Sequence, residues 1–183
     1  MYLKNDILKL RAPEPEDLEL LYIWENMLEY WETGNTRQPY SKFALKQYIS
    51  QINSNLYESN QLRLMMVDAK TNETVGTVDL FDFDLHHGRI ALGLFVAPEF
   101  QKKGYAKAAL QIVEEYVFGF LKINQLYCHI AKNNRASIHM FEKENFSKTI
   151  LRNWIKSSSG FEDIIVFQQF IDEFTARKEN QLT

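Results

Sequence analysis

The sequence has few of the residues that bind metals or form cross-links. Its 183 residues include one cysteine, Cys128, and four histidines. A single cysteine forms no internal disulfide, and so few thiols and imidazoles make no metal cluster, so no bound metal is expected. Every uncharged apolar run is shorter than the roughly 18 residues that span a bilayer, and residues 1–6 lead into no signal-peptide apolar segment. We therefore expect a cytoplasmic protein without a membrane partner.

Charge of one sign is not concentrated anywhere in the chain. The formal net charge is −3, from 21 Lys and Arg against 24 Asp and Glu, and no block of five like charges occurs. A nucleic-acid partner needs a concentrated basic surface, so no such partner is expected. A cationic small substrate stays open, although an ordinary solvated surface explains the same charge.

The chain is rich in the side chains that build a core. Thirteen Phe, nine Tyr and three Trp accompany a hydrophobic fraction of 45%. This composition, at this length, favours one globular domain over disorder or several domains. We expect one domain over residues 1–172, followed by residues 173–183 as a polar C-terminal tail or a frayed helix.

The apolar periodicity predicts an alternation of strands and helices. Strands are predicted at 7–11, 62–67, 74–83, 89–96, 125–131, 146–155 and 163–170. Helices are predicted from Pro15, from Ser41, and over 104–118 and 134–143. An early antiparallel meander followed by one parallel crossover is typical of an α+β mixed sheet.

The stretch from Val96 to Ala106 carries the clearest chemical signal. A predicted buried strand leads through a short loop directly into a helix, whose first N–H groups lack intrahelical partners. Lys102 and Lys103 add two cations, and Gly104 lets the main chain approach a ligand closely. These features predict a pyrophosphate site, with a plain solvated turn as the alternative.

Two motifs resemble those of one enzyme family. Residues 101–106, Gln-Lys-Lys-Gly-Tyr-Ala, resemble the Q/R-x-x-G-x-G/A signature of the GNAT acetyltransferases. Residues 134–146 resemble the N-x-x-(S/A)-x-x-x-Y-E-K-x-G-F helix of the same family. Weaker similarity at residues 10–13, 24–26 and 160–163 extends the resemblance over nearly the whole chain. It is closest to the branch of ribosomal-protein alanine N-acetyltransferases and spermidine N-acetyltransferases.

The resemblance implies both the detailed fold and the cofactor. The fold is a GNAT-type mixed sheet in which an antiparallel N-terminal meander precedes a central parallel pair of splayed strands, flanked by helices. Acetyl-CoA is the implied acetyl donor. Its arm is expected along the main chain of Leu94, Phe95 and Val96. Its pyrophosphate is expected on the main chain of Gln101, Lys102, Lys103, Gly104, Tyr105 and Ala106. Asn134, Ser137 and Phe141 are implied neighbours of the cofactor, although Asn134 can equally serve only as a helix cap.

Two departures from the family pattern leave the catalytic acid and base open. Phe141 stands where many relatives have a tyrosine that protonates the leaving thiolate, and Ala91 stands where many have a glutamate that relays the substrate proton. Candidate replacements are Asp79, His129 and His139. Tyr127 is a further candidate, expected on the opposite strand face from His129. Positioning alone, with water carrying the proton, is the alternative.

The resemblance places the acceptor between the two N-terminal helices and the last strands. Aromatic rings and carboxylates there suit a cationic amine, although such rings are also common in cores. The candidates are Trp24, Tyr30, Trp31, Glu32 and Asp79, with Tyr40, Trp154 and Phe161 nearby.

The implied function is an acetyl-CoA-dependent N-acetyltransferase that acts on a primary amine. A polyamine, a protein N-terminus and a small amine metabolite are all open as acceptors. One alternative is a catalytically weak acetyl-CoA-binding sensor or scaffold module, and another is a structural α+β protein that binds no ligand. Relatives often dimerise, which leaves a homodimer open as a partner arrangement.

Overall fold

The computed structural model describes residues 3–34, 36–51, 56–157 and 160–182. Within these residues, seven strands form one sheet of order β1-β2-β3-β4-β5-β7-β6. The strands are β1 Leu8–Arg11, β2 Leu62–Asp68, β3 Thr74–Asp84, β4 Arg89–Val96, β5 Gln125–Ala131, β6 Ser147–Ser157 and β7 Gly160–Phe170. The helices are α1 Leu18–Glu25, α2 Leu28–Gly34, α3 Lys42–Gln51, α4 Leu56–Ser59, α5 Tyr105–Glu114, α6 Arg135–Lys143 and α7 Ile171–Leu182.

The sheet combines an antiparallel meander with one parallel pair, as expected. Strands β1 to β4 pair antiparallel in chain order, and β5 pairs antiparallel with β7. The parallel pair β4–β5 is bonded only from Arg89 with Gln125 to Ala91 with Tyr127. Beyond those residues the two strands separate, which confirms the predicted splay. The gap leaves main-chain groups of residues 92–96 facing β5 across open space.

The two faces of the sheet are covered unequally. One face packs on α5, α6 and α7, and its buried cluster includes Leu80, Ile90, Leu110, Val113, Phe118, Leu126 and Phe167. On the other face, α1 and α3 cover the meander through Leu21, Trp24, Leu45, Ile49, Met65 and Val67. We call this second side the open face, because the buried cluster there contains no described residue of β5. Cross-strand partners share a face, so Asp79, Gly93, Tyr127 and His129 all project onto it.

Helix α5 follows the gap and ends differently from the prediction. The predicted helix over 104–118 is α-helical from Tyr105 to Glu114 and continues as a π-helical segment, Glu115–Phe120. Its apolar face is buried against the sheet as the periodicity indicated. Gly104 lies at its N-terminus in a left-handed conformation, with φ of 87°.

Residues 173–182, expected as a polar tail or a frayed helix, belong to helix α7. Phe174 is 7% exposed and packs 5.3 Å from the ring of Phe118. Arg177 forms an ion pair of 2.9 Å with Glu114 on α5. These long-range contacts hold the segment as a docked helix, despite its polar composition. None of the described helices is long and apolar enough to cross a membrane.

Candidate functional site

A groove of about 1620 Å³ joins the gap between β4 and β5 to the open face. Eleven of the twelve residues expected at the cofactor line it: Leu94, Phe95, Val96, Gln101, Lys102, Gly104, Tyr105, Ala106, Asn134, Ser137 and Phe141. The twelfth, Lys103, is not a lining residue, and its Nζ lies 5.1 Å from the centre of the Phe100 ring. The fold thus brings together two motifs that are about thirty residues apart in the chain.

The loop before α5 has the backbone shape of an anion site. Lys102 and Gly104 both have left-handed conformations, with φ of 61° and 87°. Such alternation turns successive N–H groups towards one concave spot. No described side chain caps α5, and a Cβ on Gly104 would meet nothing within 4 Å. Open space and free donors at this point fit a pyrophosphate group.

The C-terminal end of β4 contacts the loop that precedes α5 and the helix α2. Nε2 of Gln101 donates to the Val96 carbonyl at 3.1 Å and to the Tyr30 hydroxyl at 3.2 Å. The Phe95 ring lies 5.4 Å from Trp24 and 5.3 Å from Tyr30. Side chains of α1, α2 and the loop before α5 therefore hold the end of β4 whose main chain is expected to face the cofactor arm.

Helix α6 supplies a cap and an apolar wall. Oδ1 of Asn134 accepts a hydrogen bond of 3.2 Å from the Ser137 main-chain N–H, so the capping role of Asn134 is present. Phe141 is 4% exposed and packs 5.5 Å from Phe167 and 5.1 Å from Phe146. A phenyl ring carries no exchangeable proton, so Phe141 can shape the groove but cannot protonate a thiolate.

Three charged residues form a cluster on the open face of β2 and β3. Nε of Arg63 donates to Asp79 at 2.6 Å, and Nη1 of Arg63 donates to Glu25 of α1. The guanidinium also lies 5.4 Å from the centre of the Tyr48 ring. Burial alone would lower the pKa of Arg63, but the two carboxylates outweigh it and raise that pKa. Burial also raises the pKa of Tyr48 to about 12.

This cluster changes the expectation for Asp79. Its Oδ1 accepts the hydrogen bond of 2.6 Å from Nε of Arg63, so that oxygen is not open to the proton of an incoming amine. Glu25, Arg63 and Tyr48 are site residues that the sequence motifs did not predict. One signal was available, because Arg63 is the single cation inside the apolar run Leu62–Asp68 and therefore needs a buried partner.

The two histidine candidates lie in different places. His129 is exposed on the open face and lines the groove, whereas His139 is exposed on α6 and does not line it. The Tyr127 ring packs 5.5 Å from the imidazole of His129 at 79°. The expectation that these two residues occupy opposite faces is therefore wrong, because residues two apart in a strand project to the same side. Burial lowers the pKa of His129, and the charge of Asp82 opposes that shift.

The acceptor candidates divide into wall and surface residues. Trp24 is 8% exposed and serves mainly as core beneath Phe95, while Nε1 of Trp31 donates to the Glu25 carbonyl at 3.0 Å. Both line the groove, as do Tyr30, Tyr40 and Trp154. Phe161 is exposed and is not a lining residue. The side chain of Glu32 lies outside the described residues.

Comparisons with known proteins agree with this geometry. The sequence model of the acetyltransferase (GNAT) domain matches residues 8–147. A spermidine N(1)-acetyltransferase of Vibrio cholerae is 28% identical over 145 residues, covering 78% of this chain and 80% of the relative. One from Escherichia coli K12 is 29% identical over 142 residues, covering 76% and 72%.

A solved structure shows the same fold. The spermidine N-acetyltransferase of Vibrio cholerae, in complex with CoA and spermine, superposes with a TM-score of 0.82 at 22% identity. The match covers 93% of this chain and 99% of that one. The domain match spans well over half of the sequence, and both motifs lie on one groove. Acetyl-CoA is the acetyl donor and a primary amine is the acceptor of this N-acetyltransferase, and the chain belongs to the GNAT acetyltransferase family.

Proposed function

We propose that the acceptor is an aliphatic polyamine, with spermidine and spermine as the test compounds. Relatives named as spermidine N(1)-acetyltransferases, at 28% and 29% identity, support this choice over a protein N-terminus or an amine metabolite. A cytoplasmic location, one domain over residues 1–172 and a homodimer stay predictions.

The acidic and aromatic wall of the groove is the observation that carries the proposal. Glu25 and Asp79 bring two negative charges against the single positive charge of Arg63, so the cluster has a net charge of −1. The rings of Tyr30, Trp31, Tyr40 and Tyr48 line the same groove. A polyamine has ammonium groups separated by methylene spacers, and carboxylates and rings bind these two parts respectively. An anionic acceptor would be repelled by the net charge of this cluster.

The opposite end of the groove is suited to the anionic part of the donor. We propose that the main-chain N–H groups of residues 102–106, with Lys102, hold the pyrophosphate, since the N–H of Gln101 donates to the Pro98 carbonyl at 3.3 Å. The main chain of Leu94, Phe95 and Val96 would pair with the arm as an added strand does. Asn134 and Ser137 would contact the arm from the first turn of α6.

The chain has two tasks in the reaction. Acetyl-CoA supplies an acyl thioester, and main-chain N–H groups in the gap are the donors that would polarise its carbonyl oxygen. The acceptor must lose a proton before it attacks, since an alkylammonium has a pKa near 10.4 and only roughly four in ten thousand molecules are neutral at pH 7. Gly93 has no side chain on the open face, where a Cβ would lie 3.6 Å from the side chains of Asp79 and Phe81.

The experiment measures thiol release from acetyl-CoA with four acceptors. These are spermidine, spermine, a peptide with a free N-terminal alanine, and butylamine. We expect kcat/KM for the polyamines to exceed that for butylamine at least tenfold, because only the polyamines carry further cations. A preference for the peptide would contradict the proposal. Failure of every amine to release thiol, despite a thermal shift with acetyl-CoA, would instead support the binding module.

A matched pair of variants tests the wall itself. Glu25→Gln should raise KM for spermidine more than KM for butylamine, because it removes a charge that only the longer ligand reaches. Glu29→Gln, on the exposed surface of α2, is the control. Both variants should keep the thermal shift with acetyl-CoA, which reports on the other end of the groove. Equal KM changes for the two amines would remove Glu25 from the acceptor site.

A further inference from the structure

The reaction requires a group that takes the proton of the attacking ammonium. The groove offers few side chains with the right chemistry among the residues that the structure describes. Glu25 and Asp79 are bound by Arg63. Cys128 is 4% exposed, and burial raises the pKa of its thiol to about 12. The two carboxylates are thus engaged by a cation, and the Cys128 thiol keeps its proton at pH 7.

His129 stands where the gap between the two central strands opens. Tyr127, two residues earlier on β5, pairs with Ala91 in the last bonded position of the parallel pair. His129 projects from the same strand face at a distance of about 7 Å along the chain. It is exposed and lines the same groove as Glu25 and Asp79 of the acidic wall.

The surroundings of His129 favour a neutral imidazole that can gain a proton. Partial burial lowers its pKa below the ordinary 6.5. The Tyr127 ring contacts it edge-on, and on β7 its partner is the apolar Val166. The charged group facing it is Asp82 of β3, which opposes the shift and would stabilise an imidazolium once formed. A base of this kind is deprotonated at pH 7 and still close enough in pKa to accept a proton.

We propose that His129 is the general base of the acetyl transfer, and that Tyr127 positions its ring. His129 removes one proton from the ammonium, and the freed lone pair of the nitrogen attacks the thioester carbonyl carbon. The C–N bond forms, the C–S bond breaks, and the thiolate leaves with the bonding electron pair. The second amine proton passes to water as the amide forms, and the thiolate takes the proton that the imidazolium holds, which returns His129 to its neutral form. The inference rests on the proposed transfer to a primary amine.

The test compares His129→Gln with His139→Gln, a histidine of similar exposure outside the groove. We expect His129→Gln to reduce kcat at pH 7 by about 10²–10⁴-fold, which is the usual contribution of a general base. His139→Gln should retain wild-type kcat. Both should keep the thermal shift with coenzyme A. In the wild type, kcat should rise with pH through an apparent pKa below 6.5, and this limb should disappear in His129→Gln.

A measurement independent of turnover completes the test. NMR titration of the imidazole signals of His129 should give a pKa below the ordinary 6.5. A kcat for His129→Gln within threefold of wild type, or an unchanged pH profile, would overturn the proposal. Absence of wild-type turnover with every amine would instead refute the proposed function. If His129→Gln loses the coenzyme A shift, His129→Asn serves as the second variant, and the same criteria apply.

Discussion

The hydroxyl of Tyr105 donates a hydrogen bond of 2.7 Å to the carboxylate of Asp68. This bond joins the first turn of α5 to the last residue of β2. Asp68 also accepts main-chain hydrogen bonds of 2.8 Å from Lys70 and Thr71. The main-chain bond from Thr71, followed by the Tyr105 bond, lowers the pKa of Asp68 to about 2, and the bond to Asp68 raises the pKa of Tyr105 to about 12.

We predict that Tyr105→Phe weakens acetyl-CoA binding without changing chemistry. The loop that should hold the pyrophosphate loses its tie to β2, so Kd should rise by about fivefold while kcat changes little. Isothermal titration and steady-state kinetics measure the two quantities. Tyr116→Phe, a tyrosine of α5's π-helical extension, is the matched control. A large fall in kcat would mean that the Tyr105 hydroxyl serves the reaction directly.

The contribution of the Tyr105–Asp68 hydrogen bond to acetyl-CoA binding should not depend on pH between pH 6 and pH 9. The folded pKa of Asp68 is below its ordinary 3.8, so the associated stability is complete above that value and is lost as pH falls towards 2. The Tyr105 proton stays in place up to about pH 12. The ratio of mutant to wild-type Kd should therefore be constant from pH 6 to pH 9. A ratio that varies across this interval would contradict the assignment.

Removal of Arg63 should expose two carboxylates that a cationic ligand can bind. Arg63→Gln leaves Glu25 and Asp79 without their shared partner, and breaking such a partly buried pair costs about 3 kcal/mol of unfolding free energy. Spermine should then stabilise the variant more than the wild type, because its ammonium groups replace the guanidinium. Thermal unfolding with and without spermine measures both effects. Arg89→Gln, which breaks the exposed pair with Asp84, should show neither.

Gly76 of β3 is required by the close approach of β4. A Cβ on Gly76 would lie 2.0 Å from the Phe95 carbonyl oxygen, so Gly76→Ala must push away the main chain that should face the cofactor arm. We expect a loss of about 3 kcal/mol in stability and a loss of the coenzyme A shift. Gly93→Ala is the control, since its Cβ would meet side chains at 3.6 Å, an ordinary contact. Equal stability of the two variants would show that β4 can move away from the added Cβ without loss of stability.

The cofactor end of the site could be predicted because its signals are local. The apolar run before Pro98 gives the bounds of β4 as Arg89–Val96, and the motif beside Gly104 needs only one strand-to-helix junction. The acceptor end depends on contacts between distant residues. Arg63 lies 38 positions from Glu25 and 16 from Asp79, and periodicity places each on a face without saying which partner it meets.

The docking of the C-terminal segment is another feature that the sequence did not predict. Its polar composition indicated a tail or a frayed helix, whereas its docking depends on Glu114 and Phe118 of the helix some sixty residues earlier. The misplacement of Tyr127 relative to His129 has a different origin. Side chains alternate along a strand with a period of two, so residues 127 and 129 share a face. The sequence alone was therefore sufficient to place both side chains on the same face of β5.

The ion pair that docks α7 should make stability depend on pH in a predictable direction. The side chain of Glu114 is 5% exposed, and its Oε2 lies 2.9 Å from Nη2 of Arg177. Burial raises the pKa of Glu114 above its ordinary 4.5, while the charge of Arg177 opposes this. An acid with a raised folded pKa contributes most to stability below its unfolded pKa, and that contribution is lost as pH rises through the folded value.

Arg177→Leu should therefore destabilise the protein most at alkaline pH. Without Arg177 the Glu114 carboxylate is buried without a cation, which costs about 3 kcal/mol when it is ionised. At pH 5 the carboxyl can take up a proton and the deficit should shrink. Urea unfolding at pH 5 and pH 8 measures the difference, with Lys178→Leu, from the more exposed pair with Glu115, as control. A deficit that is equal at the two pH values would mean that Arg177 acts through packing on Phe174 rather than through its charge.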